Sequence, residues 1–189
     1  YNLLAIYATA ILMGEDKNEV LLQLSTLKTA PGRFEQLAGP ANKMAIVDYA
    51  HTPDALENVL KTIQAIRSKQ QRIITVVGCG GNRDAGKRPI MAELAATLSD
   101  ALVLTSDNPR FEDPETILDQ MEVGVPHAER SKVHRITDRK EAIFHAIRSI
   151  AQSGDIVLVA GKGHETYQDI QGVKLDFDDK QVIAEAYLA

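Results

Sequence analysis

An α/β fold, with a mostly parallel sheet covered by helices on both faces, is what the pattern of this sequence predicts. Short apolar, β-rich runs recur at 45–47, 73–77, 101–105 and 156–160, and helical stretches separate them at 53–68, 86–98, 114–121 and 138–151. Near-continuous apolar runs alternating with amphipathic helices are the signature of parallel strands buried on both faces. Each run also gives way to a segment rich in Gly, Pro, Asn, Asp and His, the composition of loops.

The elements follow in order. Residues 1–13 form the longest apolar stretch, too short for a membrane span and without the basic segment that would make Ala8-Thr9-Ala10 a signal-peptidase site. Leu3, Leu4, Tyr7, Ala8, Ile11 and Leu12 recur at helical spacing, so a buried helix is expected. Gly14-Glu15-Asp16-Lys17 breaks it, and a second amphipathic helix follows over 19–27. The chain begins at Tyr1, inside this apolar pattern and without a cap, as a fragment of a longer protein would. Pro and Gly punctuate Lys28-Thr29-Ala30-Pro31-Gly32, a candidate linker, which divides the chain into 1–30 and 31–189. Beyond it, Thr52 before Pro53, Asp113 before Pro114 and Thr137 ahead of Asp138 provide capping chemistry for three helices. Residues 167–174 read as a hairpin and 180–188 as a closing helix.

Composition narrows the function. Hydrophobic residues at 44% and charged residues at 25% of 189 exclude a disordered, collagenous or coiled-coil chain. With 26 acidic against 21 basic residues the net charge is -5, and no Lys/Arg run offers a nucleic-acid footprint. Neither nucleic acid nor membrane is an expected partner. The single cysteine, Cys79, cannot form an intramolecular disulfide, which fits a reducing compartment and hence the cytoplasm.

In an open parallel sheet, ligands bind outside the carboxyl ends of the strands. The segments there are Asp48-Tyr49-Ala50-His51-Thr52-Pro53, Gly78-Cys79-Gly80-Gly81-Asn82-Arg83-Asp84, Ser106-Asp107-Asn108-Pro109-Arg110 and Gly161-Lys162-Gly163-His164-Glu165. Together they would set Arg83, Lys87, Arg110 and Lys162 near Asp48, Asp107 and Glu165, an edge suited to an anionic or zwitterionic ligand. Glu165 and Asp48, each taken alone, would be a cap or a solvated charge, and their common strand-end position is what points to binding.

Several familiar motifs fail on spacing. The segment 81–88 is spaced like a P-loop, but Arg88 stands where a magnesium-binding hydroxyl is required, leaving a glycine-rich turn at a helix N-terminus. The segment 78–83 begins like a dinucleotide fingerprint and ends in Arg, with no acidic residue closing a following strand. His164-Glu165 meets Gln168 where a zinc hydrolase needs its second His. Ser25-Thr26-Leu27-Lys28 and Ser106-Asp107-Asn108 lack the Lys-Thr-Gly partner of penicillin-recognising enzymes. Cys79 reads as a small turn residue, and His127, His134 and His145 as surface or core residues; His51 and His164 differ only by lying in these loops.

Five motifs in order do carry a resemblance: Gly32-Arg33-Phe34-Glu35, Asp48-Tyr49-Ala50-His51-Thr52-Pro53-Asp54, Gly80-Gly81-Asn82-Arg83-Asp84 with Gly86-Lys87-Arg88-Pro89, Asp107-Asn108-Pro109-Arg110, and Gly161-Lys162-Gly163-His164-Glu165. The chain resembles the C-terminal part of the Mur ligases, nearest to the members that add the third residue of the peptidoglycan stem peptide. The resemblance implies a Rossmann-like C-terminal domain over 31–189, with 1–30 as the last helices of a central ATP-binding domain. It also implies ATP-dependent formation of an acyl phosphate that an amino acid's amine attacks.

The partners implied are ATP, Mg2+ held outside this stretch, a UDP-N-acetylmuramoyl dipeptide and meso-diaminopimelate. By the same resemblance Arg33 is catalytic and contacts ATP phosphate, Asp48 takes the ribose side, and His51 lies beside that nucleotide edge. Asp107, Asn108, Pro109 and Arg110, with Arg83, Gly161 and Glu165, form the amino-acid pocket; no metal ligand is expected here. Arg110 is the discriminating residue, because relatives that add lysine lack it, and a buried guanidinium would repel a lysine ammonium. Asn82 departs from the Asp of many relatives and receives no role. Other Mur ligases, a folylpolyglutamate synthase type ligase and a stand-alone binding module are the alternatives.

Overall fold

Strands β1 (Glu35–Ala38), β2 (Met44–Asp48), β3 (Ile73–Val77), β4 (Ala101–Leu104), β5 (Val133–Arg135) and β6 (Ile156–Ala160) form one sheet in the order β1-β2-β6-β3-β4-β5. All neighbours run parallel except β1, which is antiparallel to β2. This computed structural model describes residues 2–26 and 30–189. The end of the second predicted helix, Leu27, and the linker residues Lys28 and Thr29 lie outside the described residues. Contacts divide the chain into two units, Tyr1–Ala30 and Pro31–Ala189.

In the larger unit, α3 (Pro53–Ile66), α4 (Lys87–Leu98) and α5 (Pro114–Glu122) cover one face of the sheet. Helices α6 (Arg139–His145, continued by a π-helical turn over Ala146–Ile150) and α7 (Asp179–Leu188) cover the other. Alternation along β3 divides the core: Ile73 and Val77 face α3 and α4, whereas Ile74 and Val76 face α6. Strands β7 (Tyr167–Ile170) and β8 (Val173–Asp176) form a separate hairpin, the one expected from 167–174.

Thr52 and Asp113 cap α3 and α5 through the backbone N–H groups of Ala55 and Glu115. The third cap is corrected: Asp138 itself accepts from Glu141 N, because its extended backbone brings its carboxylate over the first turn. Thr137 instead donates to Glu115. The two edge strands were not expected. β1 is short and polar, and β5 has only three residues, so neither carries the apolar run that marks a central strand.

The smaller unit contains α1 (Asn2–Leu12) and α2 (Lys17–Thr26), and the reading of α1 as buried is corrected. Leu3, Leu4, Ile6 and Leu12 are exposed, Leu12 at 88%. Two helices of this length offer each other one face and cannot enclose an apolar surface between them. Asp16 accepts from Asn18 N and Glu19 N, which starts α2 ahead of its apolar pattern.

Asp155, just before β6, ties the central strand to its neighbour. It is buried and accepts from the Arg72 guanidinium at 2.6 and 3.0 Å, from Arg72 N at 3.1 Å and from Gln152 N at 2.8 Å. Burial opposes its charge, but these donors outweigh burial and hold the carboxyl below its ordinary range. A lowered folded pKa gives stability that is complete above the unfolded value of about 3.9 and lost as pH falls through the folded value. Asp155→Asn is expected to cost about 2 kcal/mol at pH 7. Urea denaturation at pH 7 and pH 3 checks this, since the variant should lose less between the two than the wild type.

Candidate functional site at the carboxyl edge of the sheet

Pairing places four loops side by side. Asp48 of β2 lies opposite Ala160 of β6, which lies opposite Val77 of β3, which in turn lies opposite Leu104 of β4. The polar segments that follow therefore leave one edge of the sheet together. Between them lies a cleft of about 510 Å³, lined by His51, Arg83, Lys87, Asp107, Asn108, Arg110, Gly161, Glu165 and, from β7, Tyr167. A larger depression of about 810 Å³ runs along α6, but a single segment, 136–149, lines it and no second loop contributes chemistry.

Asn108 organises the floor of the cleft. Its Oδ1 accepts from Lys162 Nζ at 3.0 Å and from Asp169 N at 2.9 Å, while its Nδ2 donates to Glu165 Oε2 at 2.8 Å. This fixes the amide's orientation and aims the Glu165 carboxylate. Gly161 has φ +113, and a Cβ there would stand 2.7 Å from Asp107 Oδ2, so only glycine lets these two loops approach. Burial, then the Glu165 and Asp107 carboxylates, push the Tyr49 phenol above its ordinary range.

The glycine loop and the Asp107–Arg110 loop are interlocked. Gly81 N donates to Asn108 O at 2.9 Å, and a Cβ on Gly81 would come within 1.9 Å of Pro109 O. Arg88, buried at the start of α4, forks onto Glu112 at 2.8 and 3.0 Å and also reaches Gly80 O and Gln120. Glu112 accepts from Asn82 N, and Asn82 Oδ1 accepts from Phe111 N at 3.0 Å. Asn82, at φ +51, thus clips the two loops together. Arg83 projects from this clip and is exposed.

Of the expected pocket residues, Arg83, Asp107, Asn108, Arg110, Gly161 and Glu165 line the same cleft, as does His51. Pro109 is buried beneath Gly81 and contributes no lining. Asp48 and Arg33 lie outside the lining: Asp48 Oδ2 accepts from Phe34 N at 2.8 Å, which anchors the turn that carries the exposed Arg33. Burial raises the Asp48 carboxyl above its ordinary range, against the opposing Phe34 and Ala50 N–H groups.

Lys162, expected among the cations of the open edge, is fully buried beneath Asn108 and Glu165. Burial pushes its ammonium below the ordinary lysine range, against the pull of Asp107. Cys79 is also buried, its thiol pushed up to about 12 by desolvation, with Met91 Sδ at 3.8 Å. Tyr49 lies between the rings of His51 and His164, at 4.6 and 5.2 Å. His134 and His145, which the sequence leaves scattered, meet at 3.3 Å between β5 and α6. Sequence reasoning missed Glu112 and Asp169, since each acts across the fold on a residue of another loop. Among the described residues, no group of three or more His, Cys, Asp or Glu side chains is placed to hold a metal, and no helix is long and apolar enough to cross a membrane.

Parallel strands, flanking helices and a polar cleft at the carboxyl edge define a Rossmann-like α/β domain with a candidate ligand site at the loop ends. Residues 32–163 match the model of the Mur ligase, glutamate ligase domain, and the chain belongs to that family. A protein of Cytophaga hutchinsonii named UDP-N-acetylmuramoyl-L-alanyl-D-glutamate--2,6-diaminopimelate ligase is 61% identical over 98% of this chain, and its namesake from Bacteroides fragilis is 53% identical over 98%. The chain spans 38% of the length of each. A solved structure of a ligase of the same name superposes with a TM-score of 0.77 at 44% identity, covering 98% of this chain and 37% of that one.

Proposed function

We propose that this chain is the C-terminal portion of an ATP-dependent ligase that adds meso-diaminopimelate to UDP-N-acetylmuramoyl-L-alanyl-D-glutamate in peptidoglycan precursor synthesis, and that it supplies the amino-acid pocket. The observation that carries the reading is Arg110 in the cleft with Arg83, Asn108 and Glu165. Meso-diaminopimelate has two carboxylates and two ammonium groups. Arg110 takes the distal carboxylate, Arg83 and Asn108 hold the rest of the ligand, and Glu165 receives an ammonium. These charge-assisted pairs fix the orientation from which the amine attacks. The names of the relatives support the same substrate.

ATP supplies the phosphoryl group that activates the substrate carboxylate, with Mg2+ held elsewhere in the longer protein. Arg33 is suited to neutralise phosphoryl charge, being exposed on a turn that the backbone of Phe34 anchors to Asp48. Asp48 and His51 form the adjoining nucleotide edge. Residues 1–30 belong, in this reading, to the end of a central ATP-binding domain, which the exposed leucines of α1 support. The UDP-linked dipeptide is held by other parts of the longer protein, which works in the cytoplasm.

This chain alone is expected to bind meso-diaminopimelate but not to turn over ATP. Lys87 Nζ already donates to His51 O at 2.6 Å, and the next residue, Arg88, is committed to Glu112. Titration calorimetry with meso-diaminopimelate, L-lysine and ATP, alongside a phosphate-release assay, tests both points. Preference for lysine would defeat the substrate assignment, and magnesium-dependent ATP turnover abolished by Lys87→Ala would restore a P-loop.

A further inference from the structure

The hairpin is not an appendage of the sheet but a splint along the loop that carries Arg110. Four hydrogen bonds join the two segments. Gln168 Nε2 donates to Asp107 O at 2.8 Å, Asp169 N to Asn108 Oδ1 at 2.9 Å, Arg110 N to Asp169 O at 2.9 Å and Gln171 N to Arg110 O at 2.7 Å. Arg110 is held by them at φ +52, a backbone region that a non-glycine residue occupies at a cost unless its surroundings impose it.

The side chain is constrained from the same strand. Asp169 Oδ2 stands 4.0 Å from Arg110 Nε, and Arg110 Nη1 donates to Gly81 O at 2.9 Å. Asp169 Oδ1 is buried and has no hydrogen-bond partner among the described residues. Leaving a carboxylate oxygen in that state is unfavourable, and nothing in the backbone ladder requires it, because the ladder uses only the N–H and C=O of Asp169. Among the described residues the cation within 4.0 Å of the carboxylate is the Arg110 guanidinium. Lys174, opposite Asp169 in the hairpin register, lays its ammonium over the Tyr167 ring, 4.2 Å from its centroid, and makes no ion pair with Asp169. Nη2 of Arg110 is committed to no protein group among the described residues, which leaves it available to a ligand carboxylate.

We infer that Asp169 is a positioning residue for substrate selection: from β7 it sets the direction of the Arg110 guanidinium across the cleft, and so tunes recognition of a carboxylate at the far end of the amino acid. The inference rests on the proposed role of Arg110. Asp169 touches no substrate itself.

The test uses the full-length ligase, with steady-state kinetics for meso-diaminopimelate and ATP. Asp169→Asn removes the charge and keeps the shape and the backbone ladder. It is expected to raise the KM for meso-diaminopimelate roughly tenfold, with kcat and the KM for ATP within about twofold of wild type. Asp169→Glu, which restores the charge, should recover part of the loss. In an Arg110→Ala background the same Asp169→Asn change should add less than about twofold, because its effect passes through the guanidinium.

An unchanged KM in Asp169→Asn, or full additivity in the double variant, overturns the inference while leaving the substrate assignment standing. Equal rises in every KM with a fall in melting temperature would make Asp169 structural and overturn it too. A wild-type enzyme that does not use meso-diaminopimelate would remove both readings at once.

Discussion

Arg110→Ala in the full-length ligase is expected to abolish most of the preference for meso-diaminopimelate over lysine, and to do so by losing the first rather than gaining the second. If Arg110 holds the distal carboxylate as proposed, removing the guanidinium leaves that carboxylate without its partner and should cost roughly 2 to 5 kcal/mol in apparent binding. Lysine lacks that carboxylate, so the wild-type pocket is expected to reject it already, by about 10⁴-fold for a site built around one specific polar group. Arg110 is well placed for such a loss: its backbone is fixed by β7 and its Nη1 by Gly81 O, so no rotamer change can substitute another donor. Ratios of kcat/KM for the two amino acids, in wild type and variant, decide the matter. Equal falls for both substrates would show that Arg110 does not read the distal carboxylate.

A second large effect is expected at Arg33. In the full-length enzyme Arg33→Ala should lower turnover by about two orders of magnitude, the usual consequence of removing one donor to developing charge, worth about 3 kcal/mol. The fold should not register the change. Arg33 is exposed, and its turn is held by the main chain of Phe34 on Asp48 and by Gly32 N on Glu35 Oε2 at 2.9 Å, none of which involves the guanidinium. Thermal denaturation of this chain should therefore show little shift. A large loss of stability would reassign Arg33 as a structural residue.

Much of this architecture is legible in the sequence alone. Strands β3 and β6 fall where the apolar runs place them, because a central strand buried on both faces is apolar at nearly every position, and the one exception, Thr75, pairs its hydroxyl with Ser99 Oγ at 2.7 Å. The caps at Thr52 and Asp113 were readable for a similar local reason, since a side chain and the N–H it satisfies are two or three residues apart. Even the clustering of Arg83, Lys87, Asp107, Arg110 and Glu165 follows from one rule, that parallel strands deliver their following loops to one edge.

Tertiary structure alone decided the rest. Periodicity carries no information on strand order, so the insertion of β6 between β2 and β3 was invisible, although it brings the Gly161–Glu165 loop against Asp107 and Asn108. Lys162 looked like a surface cation and is instead enclosed, because burial depends on what packs above a residue. Glu112 and Asp169 carry no motif at all. Their importance comes from partners in other segments, Arg88 and Asn82 for one and Arg110 for the other. Local chemistry is written in neighbouring residues, whereas the direction in which a guanidinium points is set by charges and carbonyls that meet only once the chain has folded.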